Sequence, residues 1–467
     1  MKTRRVKTNR AYSATKQTVL VAAIIALALL GSRPGAGQQK PKPQEQVLYS
    51  FQDNGQDGIQ PEASLIFDNA GNLYGTTYLG GSGGDGSVFE LSPNSGGGWS
   101  EKILYNFQFN SAQGTIPSSG LVFDKGGNLY GTTEQGGTGD CGFEMACGTV
   151  FELAPQPDGS WSETVLYSFQ STPDGAFPSG NLVFDNGGNL YGTTASGGNP
   201  SCDSYGCGTV FELSPQFSGW AEAVIYDFQG SPDGENPDAG VIFDAAGNLY
   251  GTTVGGGANS NQQCVSDSAC GTVFELTPKV GGGWNETVLH SLSFAEGSNP
   301  ESGLIFDKSG NLYGTTSLGG PGACPSGDLI GCGTVFELSP SSGGGWSATV
   351  LHSFQANGKD GRHPRTALVL DHAGVLYGTT YTGGRFNCSS SDIIGCGTVF
   401  ELSPHSNGNW TEKIFSFNGK DGQRPFGNLI FDTGGTLYGT TEFGGTGGCK
   451  GEFGYVAGCG TVFEITR

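Results

Sequence analysis

Leu73-Tyr74-Gly75-Thr76-Thr77 decides the fold, because the same five residues return six more times along the 467-residue chain. The later copies begin at Leu129, Leu190, Leu249, Leu312, Leu376 and Leu437. Successive tyrosines of this motif are 56 to 64 residues apart. A period of this size is typical of chains built from tandem structural repeats, each packed against its neighbours. The sequence therefore predicts seven copies of one unit instead of a single large core.

The third repeat shows what one unit contains. Asn181 to Asp185 is a short apolar run, and a turn rich in Asp and Gly leads to the motif at Leu190. After a Gly-rich loop come the runs Gly208 to Leu213 and Ala223 to Phe228. Four short antiparallel strands in about 60 residues, with no segment of helical period, are typical of one β-propeller blade. The glycine inside the motif indicates close approach by a neighbouring backbone or ring.

The two ends of the chain are complementary. The last repeat stops at Arg467, directly after its third strand, so its fourth strand is missing. Near the N-terminus, Glu45 to Phe51 (EQVLYSF) matches a fourth strand such as Glu163 to Phe169 (ETVLYSF). An N-terminal strand that completed the last blade would close the ring and protect the sheet edges. We therefore predict an all-β fold, a seven-bladed β-propeller closed by the N-terminal strand; the alternative is a β-solenoid with capping repeats at both ends.

The first 37 residues are predicted to be a signal peptide. Basic residues precede Val19 to Leu30, an uninterrupted apolar run of twelve, and small residues follow up to Gly37. The alternative is an uncleaved anchor, although twelve apolar residues are short of the roughly 20 that a spanning helix needs. Residues 38–44 are then a linker and 45–467 the propeller, with repeat cores near 61–107, 117–169, 178–228, 237–294, 300–354, 364–417 and 425–467 plus 45–51.

Export would leave a strongly acidic protein. Removal of residues 1–37 takes away seven basic and no acidic residues, so the net charge changes from −21 to −28. Such a chain repels nucleic acid and anionic membrane surfaces, which attract basic patches. We expect an exported monomer, extracellular or in the periplasm or on the outer surface, with no spanning segment in the mature chain. Its partner would be an extracellular glycan or a protein.

All twelve cysteines lie between the motif and the next strand of a repeat. They form pairs five to ten residues apart, and the first repeat lacks both members. Joint loss is expected of bonded partners, and export favours oxidation. The alternative is metal ligation, but zinc sites group cysteines in fours or with histidine, and no such grouping occurs here. We predict the disulfides Cys141–Cys147, Cys202–Cys207, Cys264–Cys270, Cys324–Cys332, Cys388–Cys396 and Cys449–Cys459.

Three spaced motifs recur together in these repeats. They read Phe-Asp-x-x-Gly-Asn-Leu-Tyr-Gly-Thr-Thr (residues 184–194), Cys-Gly-Thr-Val-Phe-Glu-Leu (207–213) and Gly-Gly-Trp (97–99). This combination resembles the GloVer tandem repeats of exported bacterial proteins, over residues 45–467. The resemblance implies an exported repeat protein and brings no active site with it. Members of that family often end in a C-terminal sorting anchor, whereas this chain ends on a strand, so we expect a released protein.

Side chains that occur in every repeat are expected to build the blade. Third-strand glutamates such as Glu212 should accept hydrogen bonds from threonine hydroxyls or backbone groups of the neighbouring strand, because a buried carboxylate must be satisfied. Hairpin aspartates such as Asp185 are also expected to be structural, since Asp can bond the backbone two residues on in a tight turn. The tryptophans before the fourth strands, such as Trp220, are expected to pack against the sheet and not to bind sugars.

The linkers between blades each carry an acid or amide in a turn. If these linkers meet at the channel mouth, a ring of carboxylates could bind Ca²⁺ through oxygen ligands. The candidate ligands are Asp57, Asp174, Asp233, Asp360 and Asp421. We favour the alternative, a turn stabilised by Asp-Gly and Pro. No other metal or cofactor is expected.

The sixth repeat departs most from the others. Arg362, His363 and Arg365 lie in its linker, Arg385 in its disulfide loop and Arg424 in the next linker. In an acidic chain this basic sector could bind an anionic ligand such as a uronic acid, through bidentate Arg–carboxylate pairing. The alternative is that these charges balance the local excess of acid.

No catalytic motif is present: His-Glu-x-x-His, Gly-x-Ser-x-Gly, the P-loop and the dinucleotide fingerprint are all absent. We therefore assign no catalytic residue and keep three functions open. We favour a binding or scaffold module for anionic glycans or a protein partner over an enzyme. The alternatives are an extracellular polysaccharide lyase or hydrolase with a site at the channel mouth, and a purely structural surface protein. A channel mouth lined asymmetrically by His, Arg and carboxylates would favour the enzyme, and a symmetric, Gly-lined mouth would favour scaffold or binding.

Overall fold

A computed structural model describes residues 44–467 except 110–111, 143–144, 201, 203–204, 260–263, 265–268, 323, 325–330, 389–394 and 450–457. The predicted signal peptide lies outside the described residues. Every regular element in the described part of the chain is a β-strand, which confirms the all-β prediction. That part holds no helix with the length and apolarity needed to cross a membrane. Gln44–Thr466 form one compact unit.

The described residues form seven blades, each with a four-stranded antiparallel core; short linker strands extend the sheets of the first and seventh blades to six and five strands. The first strands have two residues each: Ile66–Phe67, Val122–Phe123, Val183–Phe184, Ile242–Phe243, Ile305–Phe306, Val369–Leu370 and Ile430–Phe431. The second strands hold the motif: Leu73–Thr77, Leu129–Thr133, Leu190–Thr194, Leu249–Thr253, Leu312–Thr316, Leu376–Thr380 and Leu437–Phe443. The third strands are Gly84–Pro93, Thr149–Pro155, Thr209–Gln216, Thr272–Pro278, Thr334–Pro340, Thr398–Pro404 and Thr461–Thr466. The fourth strands are Trp99–Gln108, Trp161–Ser168, Gly219–Asp227, Trp284–Ser291, Trp346–Ser353, Trp410–Ser416 and, for the seventh blade, Gln44–Ser50.

Short pairings tie each linker to the residues that follow a second strand. The paired segments are Gly58–Ile59 with Leu79–Gly80, Gly234–Glu235 with Gly255–Gly256, Gly361–Arg362 with Thr382–Gly383, and Gln423–Pro425 with the extended second strand of the seventh blade. Single bridges do the same in the other blades: Thr115 to Gln135, Ala176 to Ser196 and Ser298 to Leu318. Every linker is therefore held against the residues at or just after the end of the second strand in its own blade.

The N-terminal strand closes the ring. Gln44–Ser50 pairs antiparallel with Thr461–Thr466, from Gln44 opposite Thr466 to Ser50 opposite Thr461. One blade thus joins the two ends of the chain, and the predicted seven-bladed propeller is confirmed. The open β-solenoid alternative is excluded by this pairing.

Each residue of the motif has a separate structural task, as the third blade shows. Leu190 is fully buried in the core between blades. The added Cβ of an alanine at Gly192 would lie 2.5 Å from Cζ of Phe211, so the glycine makes room for a ring of the third strand. Thr193 donates to the carbonyl of Ala239 in the next blade at 2.9 Å. Thr194 shares a 2.9 Å hydrogen bond with Thr209 of the third strand.

The hairpin aspartates and third-strand glutamates both stabilise the blade, but the glutamates have different partners from those expected. Asp185 accepts from the backbone N–H and the side-chain amide of Asn189, both at 2.8 Å, and so fixes the hairpin turn. Glu152 accepts from the Tyr130 hydroxyl at 3.0 Å, and Glu212 from Ser214 at 2.9 Å. The expectation of threonine or backbone donors to the third-strand glutamates is therefore wrong, because the antiparallel register places the motif tyrosine directly opposite the glutamate.

The cores lie between blades. Phe169, at the end of one fourth strand, packs edge-on against Phe211 in the third strand of the next blade, with centroids 5.1 Å apart. Trp220 packs on Tyr130 of the preceding blade in the same way, at 6.1 Å. Because each core needs two blades, the blades stabilise one another around the whole ring.

The structure contains six disulfides, each within one loop and between the cysteines that the sequence pairs. Their Cα atoms are 5.0 to 5.7 Å apart, in the range that a disulfide spans. The prediction of disulfide bonds is confirmed. These bonds close the loops that follow the second strands in blades two to seven.

Candidate functional site

Three positions of each repeat vary while the surrounding frame stays the same. One is the residue before the linker proline, which has φ between 55° and 61° in every blade. Its members are Gln60, Ile116, Phe177, Asn236, Asn299, His363 and Arg424. Positive φ is uncommon in residues other than glycine and persists only where neighbouring structure enforces it. Such outliers cluster at functional sites, and here they lie in the linkers beside the channel.

Hydrogen bonds on both sides hold this backbone, as the third blade again shows. The N–H of Phe177 donates to the carbonyl of Cys147 at 2.9 Å. The carbonyl of Phe177 accepts from the N–H of Ala195, the residue after the motif, at 3.1 Å. The linker therefore fixes where the residue after the motif lies.

The other two variable positions follow the linker proline and the motif. After the proline come Glu62, Ser118, Ser179, Asp238, Glu301, Arg365 and Phe426. After the motif come Tyr78, Glu134, Ala195, Val254, Ser317, Tyr381 and Glu442. Many of these residues line a cavity of about 670 Å³ to which all seven blades contribute. Much of its remaining lining is apolar and comes from the first strands and the residues just before them, such as Ile66 and Ile242. The region formed by the three variable positions is called the mouth below.

Blades five to seven supply a cationic and aromatic side of the mouth. Nε of Arg365 lies 3.1 Å from Oε2 of Glu301. The guanidinium groups of Arg365 and Arg424 lie over the Tyr381 ring, 4.9 and 5.2 Å from its centroid, which is cation–π geometry. The Tyr381 hydroxyl donates to Glu442 at 2.8 Å, and Nη1 of Arg424 is 3.8 Å from the other oxygen of that carboxylate.

Blades one, two and four supply carboxyl groups with raised pKa values. Burial, with the charges of Glu442 and Glu134, raises the pKa of Glu62 to about 8. Burial, with the charges of Glu301 and Glu134, raises the pKa of Asp238 to about 7. The pKa of Glu134 is raised by burial as well. Removal of a carboxyl group from water disfavours its charged form, and crowded carboxylates add to the effect.

Two further titratable groups, His363 and Tyr381, are neutral near pH 7. Burial and the positive charges of Arg362 and Arg365 lower the pKa of His363 to about 4. Burial and the Glu442 charge raise the pKa of Tyr381 far above its usual range. Near neutral pH a neutral imidazole and a neutral phenol therefore lie beside the carboxyl groups whose pKa values are raised.

The predicted basic sector is partly brought together. Arg365 and Arg424 meet at Tyr381, and His363 lies close enough for the Arg365 charge to lower its pKa. Arg362 is buried in the short Gly361–Arg362 strand, and Arg385 is exposed where its backbone N–H reaches Ser416 at the end of a fourth strand.

The structure also places three acidic residues at the cavity that were not predicted from the sequence. Sequence reasoning missed Glu62, Glu134 and Asp238, which face the same cavity. Variation at one fixed place in an otherwise constant repeat was the signal that could have found them.

The Ca²⁺ candidates do not form a ring in the described part of the chain. Each acid instead accepts from a backbone N–H of its own linker, such as Gln170 to Asp174 at 3.0 Å and Gln355 to Asp360 at 2.9 Å. Asp174 also accepts from Tyr167 of a fourth strand at 2.5 Å. Among the described residues, no three of these five acids come within ligand distance of one another. This geometry agrees with the turn interpretation.

Comparison with known proteins places the chain in a family. The sequence model described as "Gloeobacter/Verrucomicrobia repeat" matches residues 38–146, 142–265 and 262–467, so the chain belongs to that repeat family. A search of curated protein sequences found no match.

Three solved structures illustrate the likeness of fold. A luciferin-regenerating enzyme is 10% identical with a TM-score of 0.43, covering 91% of this chain and 95% of that chain. A putative oxidoreductase (glucose dehydrogenase) from Thermus thermophilus is 14% identical with a TM-score of 0.41, covering 91% and 100%. An ulvan lyase, described as a new polysaccharide lyase family and bound to -[GlcA(1-4)Rha3S]-, is 12% identical with a TM-score of 0.47, covering 86% and 90%. Likeness at this level carries no information on function.

Proposed function

We propose that this member of the repeat family is an exported carbohydrate-processing enzyme that hydrolyses a glycosidic bond at the mouth of its channel. The observation that carries the proposal is a pair of carboxyl groups, Glu62 and Asp238, which line one cavity and have pKa values of about 8 and 7. Glycoside hydrolysis requires one carboxylic acid that is still protonated at working pH and one carboxylate. Six disulfides fit an oxidising location outside the cytoplasm.

The roles follow from the two pKa values. Both pKa values are raised by burial and by neighbouring carboxylates, and Glu62 has the higher one, so we assign Glu62 as the proton donor and Asp238 as the base. The Glu62 carboxyl donates its proton to the glycosidic oxygen as the bond to the anomeric carbon breaks. The Asp238 carboxylate accepts a proton from the water that attacks this carbon, so one water is consumed and two hydroxyl groups form. The Arg365 charge acts on both acids and opposes both pKa shifts, which keeps Asp238 ionisable.

The lining favours a neutral or weakly charged saccharide. Arg365 and Arg424 each face a carboxylate of the protein, so their charges are already compensated. Tyr78, Phe177 and Phe426 contribute aromatic surface to the cavity, and aromatic faces pack well on sugar rings while polar groups orient the hydroxyls. A cavity of about 670 Å³ is within the usual size range of small-molecule sites.

A lyase is less well supported than a hydrolase. β-Elimination needs a base strong enough to remove a proton from carbon, and tyrosine serves this purpose only when its pKa is lowered. The pKa of Tyr381 is instead raised, because burial and Glu442 favour the neutral phenol.

The second candidate is binding without chemistry, and the compensated arginines favour it. Arg365, Glu301, Arg424 and Glu442 form ion pairs next to an aromatic ring, an arrangement that can orient a sugar without any proton transfer. Under this proposal the protein is a carbohydrate-binding module with the same site.

The test uses the purified, oxidised chain against a panel of neutral and anionic polysaccharides, with product measured as new reducing ends. Glu62→Gln should lower kcat by about 10²- to 10⁴-fold, the usual contribution of a general acid, while binding persists. The matched control is Glu101→Gln, because Glu101 also has a pKa of about 8 but lies outside the cavity lining. The kcat/KM profile should be bell-shaped, with limbs near pH 7 and pH 8 that belong to Asp238 and Glu62.

Two outcomes would decide against hydrolysis. Turnover that survives in both Glu62→Gln and Asp238→Asn would refute the assigned roles. Binding without product release, in wild type as in the variants, would establish the binding module instead.

A further inference from the structure

The junctions between neighbouring blades repeat a second polar group, away from the channel lining. It consists of an aromatic residue of one fourth strand, the acid of the following linker, and a glutamate of the next fourth strand. In the Tyr167 junction, the hydroxyl is 2.5 Å from Asp174 and also interacts with Glu222. In the Tyr49 junction, the hydroxyl is 3.0 Å from Asp57 and 3.4 Å from Glu101. In both junctions the tyrosine hydroxyl is the hydrogen-bond donor to the surrounding carboxyl groups.

One junction replaces the phenol with an imidazole. Nε2 of His352 lies 3.6 Å from Oδ2 of Asp360 and 3.3 Å from Oε1 of Glu412. The three atoms all lie within 4.8 Å of one another. Asp360 is only 6% exposed, and the other two side chains are about four-fifths buried. In the part of the chain that the structure describes, the buried Nε2 of His352 and Oε1 of Glu412 have no well-aligned hydrogen-bond partner.

Within the described ranges, the other junctions do not combine a histidine with two carboxylates. His290 lies 3.2 Å from Glu296, but the next fourth strand offers Ala348, which has no polar atom, at the position of Glu412. Among the described residues, the remaining cluster of three potential ligands is Cys202, Cys207 and Glu235, and its cysteines are joined in a disulfide. A disulfide provides no thiolate to bind a metal.

We propose that His352, Asp360 and Glu412 form a binding site for one divalent transition-metal ion, with Zn²⁺ the best match. Zn²⁺ binds imidazole nitrogen and carboxylate oxygen at about 2.0–2.2 Å, usually in tetrahedral geometry, so its ligand atoms lie about 3.3–3.6 Å apart. The distances from Nε2 of His352 to Oδ2 of Asp360 and Oε1 of Glu412, 3.6 and 3.3 Å, lie in this range. Ca²⁺ fits poorly, since it takes six to eight oxygen ligands and no imidazole. A water molecule would fill the fourth position.

The surroundings hold the ligands in place. Asp360 accepts from the N–H of Gln355 at 2.9 Å through Oδ2 and from the N–H of Gly361 at 2.7 Å through Oδ1. The His352 ring packs edge-on against the fully buried Phe354, with centroids 4.7 Å apart. Partners of this kind orient metal ligands in known sites. The ion would join the fifth blade, the linker and the sixth blade, and so stabilise one junction of the ring.

The test measures Zn²⁺ binding by the full oxidised chain after chelation and dialysis, by calorimetry and by thermal melting. We expect one Zn²⁺ per chain and a higher melting temperature with Zn²⁺. His352→Tyr recreates the Tyr167 junction and should therefore fold, yet it should lose at least about 100-fold in affinity, as expected when a ligand and not merely its support is removed. Glu412→Ala introduces the alanine that the preceding junction has at Ala348, and it should lower the Zn²⁺ affinity by a similar factor.

The matched control is His290→Tyr, which changes a histidine at the equivalent place without a second carboxylate. This variant should bind Zn²⁺ like the wild type. The proposal is overturned if His352→Tyr binds with unchanged affinity, if the wild type binds no Zn²⁺ at micromolar concentration, or if Ca²⁺ binds more tightly than Zn²⁺.

Discussion

Closure of the ring by the N-terminal strand predicts that Phe51 stabilises the fold as strongly as its counterparts inside the chain. Phe51 is fully buried and packs against Phe89 of the first blade, with centroids 5.2 Å apart. Phe169 is its equivalent at an internal junction, also fully buried, 5.1 Å from Phe211. Their backbone N–H groups each donate to a glycine carbonyl at 3.1 Å. The two sites thus match in burial, ring packing and backbone hydrogen bonding, while the strand before Phe51 is paired across the chain ends.

We expect Phe51→Ala and Phe169→Ala each to lower the free energy of unfolding by about 3–5 kcal/mol, the usual cost of truncating a buried phenylalanine. The measurement is equilibrium unfolding in guanidinium chloride at 25 °C, followed by tryptophan fluorescence under oxidising conditions. Phe217→Ala is the control, because Phe217 is fully exposed and its removal should change little.

The comparison of the two buried positions is the decisive one. If Phe169→Ala is destabilised by several kcal/mol while Phe51→Ala stays within about 1 kcal/mol of the wild type, the N-terminal strand does not hold the ring closed. Equal losses would show that a strand paired across the chain ends is held as firmly as one within a continuous blade.

Two further predictions concern the motif and the acidic junctions. Gly192→Ala should lower the free energy of unfolding by about 1–3 kcal/mol, because the new Cβ would lie 2.5 Å from Cζ of Phe211. Gly343→Ala is the control, since its Cβ would meet no atom within 4 Å and should leave the free energy of unfolding unchanged. Equal losses in the two variants would contradict the role of Gly192 in making room for the Phe211 ring. Lowering the pH from about 9 to about 6 should raise the melting temperature, since burial raises the pKa of Glu101 to about 8 and of Glu163 to about 7. Between these pH values the folded chain holds protons that the unfolded chain, whose glutamate pKa values are near 4.5, has released. The stabilisation by these protons is complete below the unfolded pKa and disappears as the pH rises through 7 to 8. A fall in melting temperature on acidification from about pH 9 to about pH 6 would refute this prediction.

Most of the fold could be predicted because the repeat encodes contacts between residues that are close in sequence or one period apart. The apolar runs, the Asp-Gly hairpins and the paired cysteines each describe local structure. The match between Glu45 to Phe51 and an internal fourth strand was enough to predict closure, which the pairing with Thr461–Thr466 confirms. The donors to the third-strand glutamates could not be predicted in the same way, because they depend on the register between two strands.

The candidate site forms because the closed ring brings distant parts of the chain together around one channel. Glu62 and Arg365 are 303 positions apart, yet the charge of one acts on the pKa of the other, because seven blades turn equivalent linkers towards one channel. The sequence by itself determined the blade, its sevenfold repetition, its closure and its disulfides, since these follow from patterns that recur at a fixed period. Only the tertiary structure decided which non-repeated side chains share a cavity, which arginines already have a carboxylate partner, and which acids lose enough water to hold a proton at neutral pH. Those properties depend on distance and burial, and neither is encoded in the spacing of residues along the chain.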